Sequence, residues 1–565
     1  MVLRKVKVAE NFESHGRKKD TLLIMASGKV NPNLFGDLGP ILTSDVPLGN
    51  LLLIQLILER YAHGYEKVYV TLDNSKSNLC EILIAQFPNL EVFFTDTESS
   101  IGRVIHDFLI QYIPNIKCLD ILYGDTLTSS LFELTLNRDS IMVSQNLDSN
   151  HWDKVTRDNK GALKFLNRGE NLGIGGTVSG GFRFTNPGLL LSTLILVYEN
   201  ELKRGKQIGS TFYKAMKIYE VGNGENFDFV EDVEWQDCGH IDTYYQLRRK
   251  LMHRAFRSFN SVALSETSKW VTKRGEKEKI AAEFLWFEKF PQELSHYLPR
   301  VSFGINSYST EFLAALPVSD MWLSSNNDDA YWLGLIESLS LMLDAFQGTT
   351  TNELPGTILD NKKSIYKNKL EGRIEKLSNL FSSTDLSLKH IQLNFRATPS
   401  FDELIKAIQE ISEKVINLPS WTLMHGDMCF SNLLFERRSK GLKLLDPRGS
   451  FGVRGIYGDP LYELLKISQC ALGDYDFLAA NLFKISISGE NYEFGHLNYS
   501  SHEWKKEVFG DLLEKRAQKL GITFQELRIM EAGMFISAAP LHSENSRYIA
   551  LVLKALEVYR DCIST

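Results

Sequence analysis

The chain contains 565 residues, which predicts two or three domains of the usual size of roughly 100–200 residues. Hydrophobic residues make up 43% of the sequence, charged residues make up 24%, and the formal net charge is −7. This balance is typical of a soluble globular protein, and the absence of a clustered basic excess argues against a nucleic-acid partner.

The six cysteines are scattered along the chain, and no two of them form a CxxC pair. This spacing argues against a zinc site or a disulfide framework and favours reduced thiols. The first twenty residues are charged and lack the apolar segment of a signal peptide. The longest apolar stretches, 48–58 and 189–198, are shorter than the about 20 residues that a membrane span requires. We therefore predict a cytoplasmic protein without a membrane span.

The first half of the chain alternates strand-like and helix-like segments. In chain order they are 21–25 (strand), 48–62 (helix), 67–72 (strand), 90–94 (strand), 102–112 (helix) and 118–123 (strand). Such alternation predicts a mostly parallel sheet covered by helices, with ligands bound at the carboxyl ends of the strands. Gly28 and Asp125 follow two of these strands, which makes both of them candidate site residues.

The pattern changes after a helix-like segment at 243–256. Residues 262–273 have the pattern of a β-hairpin, and residues 276–290 have that of a helix. From residue 328 onward the chain is mainly helical, interrupted by a strand-loop-strand at 421–445. A small β-rich lobe followed by a larger helical lobe predicts a second domain that begins near residue 256.

The most specific motif is His425-Gly-Asp-Met-Cys-Phe-Ser-Asn432, followed by Leu444-Leu-Asp-Pro-Arg-Gly449. Phosphoryl transfer from ATP depends mainly on positioning and on charge neutralisation. One Asp can accept the proton of the attacking hydroxyl, an Asn five residues later can hold a metal ion, and a second Asp can bridge magnesium to the phosphates. This layout predicts Asp427 as the catalytic base and Asn432 and Asp446 as metal ligands, whereas His425 is predicted to brace the turn.

These motifs resemble the aminoglycoside phosphotransferase and choline kinase superfamily, a branch of the protein-kinase-like fold. The resemblance also covers Gly458-Asp459-Pro-Leu-Tyr-Glu-Leu464, similar to the family's GDPxxDLA segment, in which the aspartate would brace the catalytic loop. More weakly, it places Lys273 on a strand as an ATP-binding residue and Glu283 on the next helix as its ion-pair partner. It implies ATP and Mg²⁺ as cofactors. The Asp446-Pro-Arg-Gly449 sequence departs from the usual aspartate followed by an aromatic residue, so the substrate class stays open.

Five segments of the first half, in order, resemble motifs of sugar-phosphate nucleotidyltransferases. They are Met25-Ala-Ser-Gly28, Pro47-Leu-Gly-Asn-Leu-Leu-Leu53, Leu122-Tyr-Gly-Asp-Thr126, Val178-Ser-Gly-Gly-Phe-Arg-Phe184 and Glu234-Trp-Gln-Asp-Cys-Gly239. In that family the aspartates of the GD and WxDxG motifs bind magnesium at the attacked α-phosphate. The resemblance therefore implies that Asp125 and Asp237 are metal ligands, which suits a reaction between two anionic substrates.

The first loop of this half departs from the family. The family reads GxGxR with a downstream PK, whereas this chain reads Ser27-Gly28-Lys29 with Pro40-Ile41 downstream. The resemblance leaves Gly28 and Lys29 as the candidates for phosphate binding. Arg168 stands where the family often has a lysine that contacts the sugar phosphate.

Together the two resemblances imply an α/β protein of two parts. Residues 1–255 would form a Rossmann-like, GT-A-like nucleotidyltransferase domain with a mixed sheet. Residues 256–325 would form the N-lobe, and residues 326–565 the helical C-lobe, of a bilobal protein-kinase-like α+β domain.

The expected function is that of a bifunctional kinase and nucleotidyltransferase. It would phosphorylate a small alcohol or sugar and make a nucleotide-activated donor for surface (capsular) polysaccharide or headgroup synthesis, with Mg²⁺, ATP and a second NTP. Three alternatives stay open: a kinase with a non-catalytic scaffold domain, a silent binding protein in a polysaccharide assembly, and a glycosyltransferase. The acceptor, the base of the second NTP and the oligomeric state are open as well.

Overall fold

The chain consists of two compact units. The computed structural model describes residues 18–128, 131–132, 137–145, 152–166, 175–204, 211–232, 234–251, 260–264, 270–324, 329–351, 355–382, 391–451, 455–542 and 545–564. Of these, 18–46 and 52–248 form the N-terminal unit, and 47–51 and 249–564 form the C-terminal unit. The predicted domain limits near residues 255 and 325 both lie outside the described residues.

The N-terminal unit alternates strands with helices. Its strands are β1 (Lys19–Met25), β2 (Tyr65–Asp73), β3 (Leu90–Thr95), β4 (Leu119–Tyr123), β5 (Thr126–Leu127), β6 (Ser140–Ser144), β7 (Lys154–Arg157), β8 (Leu163–Leu166), β9 (Gly175–Phe184), β10 (Asp228–Glu231) and β11 (Gln236–Asp237). Its helices are α1 (Phe35–Leu38), α2 (Leu53–Tyr61), α3 (Ser77–Gln86), α4 (Ile101–Tyr112), α5 (Pro187–Arg204), α6 (Thr211–Asn223) and α7 (Ile241–Leu251). The predicted strands and helices of this half are present, with shifted ends.

The main sheet follows the order β10-β6-β9-β4-β1-β2-β3, with the β7–β8 pair beside β9. Strands β4, β1, β2 and β3 run parallel, and the central β1 is apolar because both of its faces are covered. β9 runs antiparallel to β4 and to β6. The sheet is therefore mixed, and the α/β class with a mixed sheet is confirmed for this unit.

One predicted helix begins later than its apolar pattern suggests. The sequence predicts a helix over 48–62, but α2 starts at Leu53. Gly49 and Asn50 have φ values of 64° and 65°, and this left-handed backbone cannot belong to a right-handed helix. The apolar residues at 48–52 therefore precede the helix as a turn.

The C-terminal unit is mainly helical. Its helices are α8 (Lys277–Lys289), α9 (Val318–Leu323), α10 (Asp329–Gly348), α11 (Pro355–Lys363), α12 (Lys369–Ser382), α13 (Phe401–Ile416), α14 (Pro460–Ala471), α15 (Tyr475–Ala479), α16 (Glu503–Lys519), α17 (Phe524–Ala538) and α18 (Asn545–Ser564). Its strands are β12 (Asn260–Leu264), β13 (Trp270–Gly275), β14 (Val301–Gly304), β15 (Ser307–Glu311), β16 (Gln392–Leu393), β17 (Arg396–Ala397), β18 (Thr422–Leu423), β19 (Leu433–Glu436), β20 (Gly441–Leu444), β21 (Tyr457–Gly458), β22 (Phe483–Ser488) and β23 (Asn491–His496).

The strands of this unit form several small sheets. An antiparallel sheet in the order β12-β13-β15-β14 contains the predicted hairpin, and α8 follows β13 as predicted. The predicted strand-loop-strand is present as β18 and the β19–β20 hairpin. The β22–β23 hairpin interrupts the helices at a place where the sequence predicts no strands.

No helix in the described part of the chain combines the length and the apolar character that crossing a membrane would demand.

Candidate functional site

A cavity of 530 Å³ lies in the N-terminal unit, with Asp125 and Thr126, which directly follow β4, in its wall. Its described lining contains three carboxylates, one lysine and one histidine: Asp125, Asp153, Asp237, Lys29 and His240. Aromatic side chains complete much of the remaining wall. The cavity thus brings together three of the five residues predicted for the nucleotidyltransferase site.

Asp125 reaches the cavity because two glycines allow close approaches on either side of it. A Cβ atom on Gly124 would lie 2.6 Å from the carbonyl oxygen of Met25, at the end of β1. A Cβ atom on Gly239 would lie 2.5 Å from Oδ2 of Asp125. Neither position accepts a side chain without movement, so both glycines of the resembling motifs have a steric role.

Asp237 is held by the residues that begin α7. Its Oδ2 accepts hydrogen bonds from the backbone N–H of His240 (3.0 Å), from Nδ1 of His240 (2.9 Å) and from Oγ1 of Thr243 (2.6 Å). The backbone of the same segment is tied to the first aspartate, because the N–H of Cys238 donates to the carbonyl of Asp125 at 2.7 Å. The short β5–β11 pair thus fixes the two aspartates side by side.

The two carboxylates affect each other electrostatically. Burial, together with the charge of Asp237, raises the pKa of Asp125 to about 7. Two neighbouring carboxylates cannot both ionise cheaply unless a cation lies near them. The lining lysine does not supply that charge at close range, because Nζ of Lys29 contacts Glu98 at 2.5 Å. The pair therefore fits a divalent cation.

The other two predicted residues of this site are Gly28, in the loop after β1, and Arg168. The backbone N–H groups of Ala26 and Ser27 donate to Oγ1 of Thr71 at 2.9 and 3.2 Å, so they are not available to phosphates. Gly28 follows them and is not part of the cavity wall, whereas its neighbour Lys29 is. Arg168 lies outside the described residues.

Sequence reasoning missed the aromatic wall of the cavity. The rings of Trp152 and Trp235 pack edge to face with centroids 5.4 Å apart, and Trp152 also packs against His240 at 5.0 Å. Trp235 belongs to the quoted motif around Asp237, so it had a signal. Trp152 stands in no motif, and only the fold brings it there.

The second candidate site lies in the C-terminal unit, around the loop that follows β18. Gly426 has a φ of 80°, and a Cβ atom there would overlap the ring of Phe451, so only glycine fits. The backbone N–H groups of His425 and Gly426 donate to Oε1 of Glu463, the second of these at 2.8 Å. His425 itself is fully buried, and burial lowers its pKa to about 4, which suits a structural role.

Glu463, rather than Asp459, braces this loop. The sequence assigned that role to the aspartate of the Gly458-Asp459-Pro run. In the structure Asp459 caps α14 through the N–H of Leu461 (3.0 Å) and pairs with Nζ of Lys362 at 2.9 Å. Four residues later, one turn along the helix, the glutamate side chain points back to the loop.

Asp427 and Asn432 are brought together as predicted. Nδ2 of Asn432 donates to the backbone carbonyl of Asp427 at 2.8 Å and to its Oδ2 at 3.4 Å. Nζ of Lys466, on α14, lies 2.8 Å from Oδ1 of Asp427. Burial lowers the pKa of Lys466, but the charge of Asp427 raises it by more. The pKa is therefore raised overall, and the lysine stays charged. Sequence reasoning missed Lys466 because it belongs to no motif.

Lys273, Glu283 and Asp446 also converge. Nζ of Lys273 lies 2.8 Å from Oε2 of Glu283 and contacts Oδ1 of Asp446. Asp446 follows β20 with a φ of 56°, and the loop after it passes so close to α8 that a Cβ on Gly449 would overlap the carbonyl of Ala282. The close approach of this loop to α8 explains how two sequence-distant carboxylates share one lysine.

In the part of the chain that the structure describes, neither site contains a metal cluster made by protein side chains alone. Among the described residues, no three His, Cys, Asp or Glu side chains come together as metal ligands. Magnesium commonly takes one or two carboxylates and fills its other positions with phosphate oxygens and water. The pair of Asp125 and Asp237, and the set of Asn432 and Asp446, fit that donor count in residue type.

No protein-family model and no curated protein matches this sequence. Solved structures that cover its N-terminal part include three nucleotidyltransferases. CTP:phosphocholine cytidylyltransferase from Streptococcus pneumoniae is 11% identical over 41% of this chain and 99% of its own, with a TM-score of 0.33. Inositol-1-phosphate CTP transferase from T. maritima is 15% identical over 42% and 97%, with a TM-score of 0.31. UDP-glucose pyrophosphorylase complexed with UDP-glucose is 12% identical over 42% and 99%, with a TM-score of 0.32. Values this low carry no argument about the activity of this chain.

Proposed function

We propose that the N-terminal unit is a magnesium-dependent nucleotidyltransferase that joins a phosphate monoester to a nucleotide. The observation that carries this proposal is the pair of Asp125 and Asp237 in the wall of a 530 Å³ cavity. Their mutual repulsion calls for a cation, and a bound magnesium ion would neutralise the charge of an NTP α-phosphate.

The reaction breaks one bond and forms one. A phosphate oxygen of the acceptor attacks the α-phosphorus, and the bond from that phosphorus to the bridging oxygen breaks, so that pyrophosphate leaves with the electron pair. Asp125 and Asp237 would hold the ion, and His240 and Thr243 keep the second carboxylate oriented. Preorganised groups of this kind lower the barrier because they need not rearrange during the reaction.

The test uses the purified full chain, magnesium and each of CTP, UTP, GTP, ATP and dTTP, with a panel of phosphate monoesters. We expect pyrophosphate from at least one combination and its loss in Asp237→Asn. If no combination released pyrophosphate, or if the variant released it as fast as the wild type, the N-terminal unit would be a binding or scaffold domain.

We further propose that the C-terminal unit is an ATP-dependent phosphotransferase acting on a small alcohol or sugar. The observation that favours it is that one loop holds Asp427 and Asn432 while Lys273 contacts both Glu283 and Asp446. These are the parts that phosphoryl transfer requires: a base, a metal-binding loop and a lysine held for phosphate.

In this reaction Asp427 accepts the proton of the acceptor hydroxyl as its oxygen attacks the γ-phosphorus. The bond from that phosphorus to the β–γ bridging oxygen breaks, and ADP leaves. Asn432 and Asp446 would hold magnesium against the phosphates, and Lys273 would turn from Asp446 to the phosphates when ATP binds. The change of partner is feasible because Glu283 remains in contact with the lysine at 2.8 Å.

The two activities suggest a route from a small alcohol or sugar to a nucleotide-activated donor of the kind that surface polysaccharide or headgroup synthesis consumes. Following ADP and pyrophosphate separately in one reaction with Mg²⁺, ATP and a second NTP tests this route. Pyrophosphate that appears only after ADP supports consecutive steps. ADP without pyrophosphate supports a kinase with a scaffold domain, and neither product supports a silent binding protein.

A further inference from the structure

A second, smaller cavity lies in the C-terminal unit, beside α14. Its volume is 150 Å³, and it is lined by Ser364, Ile365, Lys369, Arg448, Phe451 and Tyr462. Residues 364–368, between α11 and α12, form a π-helical turn that supplies part of its wall. Such turns interrupt α-helices at an energetic cost and are frequent at functional sites.

Two cationic side chains converge on one hydroxyl in this cavity. Nζ of Lys369 lies 2.8 Å from the hydroxyl oxygen of Tyr462, and Nη1 of Arg448 lies 3.1 Å from it. Within the described residues, neither cation forms an ion pair with a carboxylate. Like charges this close repel each other, and a neutral phenol cannot cancel them.

The electrostatics of the cluster agree with this excess of positive charge. Burial would raise the pKa of Tyr462, but the charges of Lys369, Lys466 and Arg448 outweigh it and lower that pKa to about 7. Burial and the neighbouring cations also lower the pKa of Lys369. Burial alone makes a phenol harder to ionise, so this lowered pKa agrees with a cavity whose cations stabilise negative charge.

The cluster adjoins the proposed catalytic base. Lys466 lies one turn after Tyr462 on α14, and its Nζ lies 2.8 Å from Oδ1 of Asp427. A small molecule with a hydroxyl at Asp427 therefore has positive charge beside it, supplied by Lys466 and continued by Lys369 and Arg448.

We propose that this cationic cluster binds the anionic group of the phosphoryl acceptor, which is a hydroxylated phosphate or carboxylate rather than an uncharged or cationic alcohol. Lys369 and Arg448 would bind the anionic group, and the acceptor hydroxyl would face Asp427. Its catalytic consequence rests on the phosphotransferase function proposed above, whereas anion binding itself does not. The Arg448 of the unusual Asp446-Pro-Arg-Gly449 sequence thereby acquires a role.

Binding can be tested without turnover. Glycerol, sn-glycerol 3-phosphate and D-glycerate differ in charge while sharing hydroxyl groups, so their titration into the full chain by calorimetry separates phosphate, carboxylate and uncharged ligands. We expect at least one anion to bind about 10–100-fold more tightly than glycerol, the range for hydrogen bonds to charged groups. The preference should disappear in Lys369→Met and in Arg448→Met.

The matched control is Lys367→Met. Lys367 is an exposed lysine on the same π-helical turn and pairs at the surface with Glu413 at 3.3 Å. The Lys367→Met variant removes one positive charge outside the cavity, so it should keep the preference for anions. Thermal unfolding identifies any variant that fails to fold. If one of the two cavity variants fails, the other one still tests the anion site.

The outcomes separate this inference from the proposed function. Anions that bind no more tightly than glycerol, or an equal loss of preference in Lys367→Met, would overturn the anion site. An increase in the KM for ATP in Lys369→Met, with unchanged binding of the anions, would also overturn it. Anion binding lost in Lys369→Met, together with no ADP formation from any acceptor, would leave the site standing and remove the phosphotransferase function.

Discussion

The two candidate sites differ in which side chains lie beside their carboxylates. In the N-terminal cavity, Asp125 and Asp237 lie together, and Asp237 is held by neutral donors and by His240. In the C-terminal unit, each carboxylate contacts a lysine: Asp427 contacts Lys466, and Asp446 contacts Lys273. The described partner of the first pair is a histidine, whereas in the second site Asp427 and Asp446 each contact a lysine.

This difference predicts different relations to metal. A carboxylate pair that repels itself gains most from a divalent cation, so magnesium should bind the first site even without nucleotide. In the second site a metal must replace an existing ion pair, which is costly when nothing takes up the released lysine. ATP supplies both the metal and new partners for that lysine, so magnesium should bind there only together with ATP.

The largest expected effect comes from Asp427→Asn, which removes the proposed base and leaves Lys466 without its charged partner. ADP formation should fall by about 10²–10⁴-fold, the usual cost of losing a general base. Pyrophosphate formation at the other site should not change when a phosphate monoester is supplied directly. Steady-state rates of both products in the same samples provide the measurement.

Asp402→Asn is the control for this variant, because Asp402 is exposed in the first turn of α13. It should keep both activities. A wild-type rate of ADP formation in Asp427→Asn would assign the base elsewhere, and a parallel loss of pyrophosphate would show that the two sites are not independent.

The next largest effect is expected at the carboxylate pair of Asp125 and Asp237. Asp237→Asn should lower pyrophosphate formation by about 10²–10³-fold, because metal-ion stabilisation of the transition state is worth several kcal/mol. It should also abolish the increase in melting temperature that we expect magnesium alone to give the wild type. Asp242→Asn, an exposed change in the first turn of α7, is the control. Magnesium that stabilises Asp237→Asn as much as the wild type would show that the pair binds no metal.

Much of the fold could be predicted because periodicity and end signals are local. The strands β1 to β4 and the helix α8 are apolar or amphipathic runs that stand out in sequence. The antiparallel direction of β9 in the main sheet depends on long-range pairing, which no local pattern encodes. The missed β22–β23 hairpin turns at Gly489, whose φ of 63° only the fold reveals.

The sites show the same division. That Asp427 and Asn432 lie together could be predicted because one loop holds both, and the place of Asp125 could be predicted because it follows a strand. Lys466 could not be assigned, because it reaches the loop from a helix more than thirty residues later and stands in no motif, whereas Glu463 belongs to the run that begins at Gly458. Trp152 enters the other cavity in the same way.

A pH-dependent prediction asks whether a raised pKa by itself marks a site. Burial raises the pKa of Asp476, at the start of α15, to about 7, the same value as that of Asp125. Asp476 belongs to no proposed site, so its shift should affect stability alone. Because its pKa is higher in the folded than in the unfolded state, its contribution is fully present below pH 4 and is lost as the pH rises to 7.

Asp476→Asn should therefore stabilise the protein by about 2–4 kcal/mol at pH 8 and by little at pH 4. Urea unfolding of the full chain at the two pH values measures the change as a shift in midpoint. Asp511→Asn, an exposed change on α16, should show no such difference between the two pH values. A gain for Asp476→Asn that is equal at pH 4 and pH 8 would mean that the carboxylate is not the cause.

The smallest expected effect concerns Lys29, the one lysine in the described wall of the N-terminal cavity. Its Nζ lies 2.5 Å from Oε1 of Glu98, and the two side chains are 47% and 76% exposed. An ion pair this exposed contributes at most about 1 kcal/mol, so Lys29→Ala should change the free energy of unfolding by no more than about 0.5 kcal/mol.

An NTP phosphate could draw the lysine away from Glu98, and losing a half-exposed contact of that kind should raise the KM for the NTP about 3–10-fold. Glu98→Ala separates the two roles, because it releases the lysine and should lower that KM or leave it unchanged. If both variants keep the wild-type KM, Lys29 is a surface residue, and the charge of the triphosphate would need another partner, such as the metal proposed for Asp125 and Asp237.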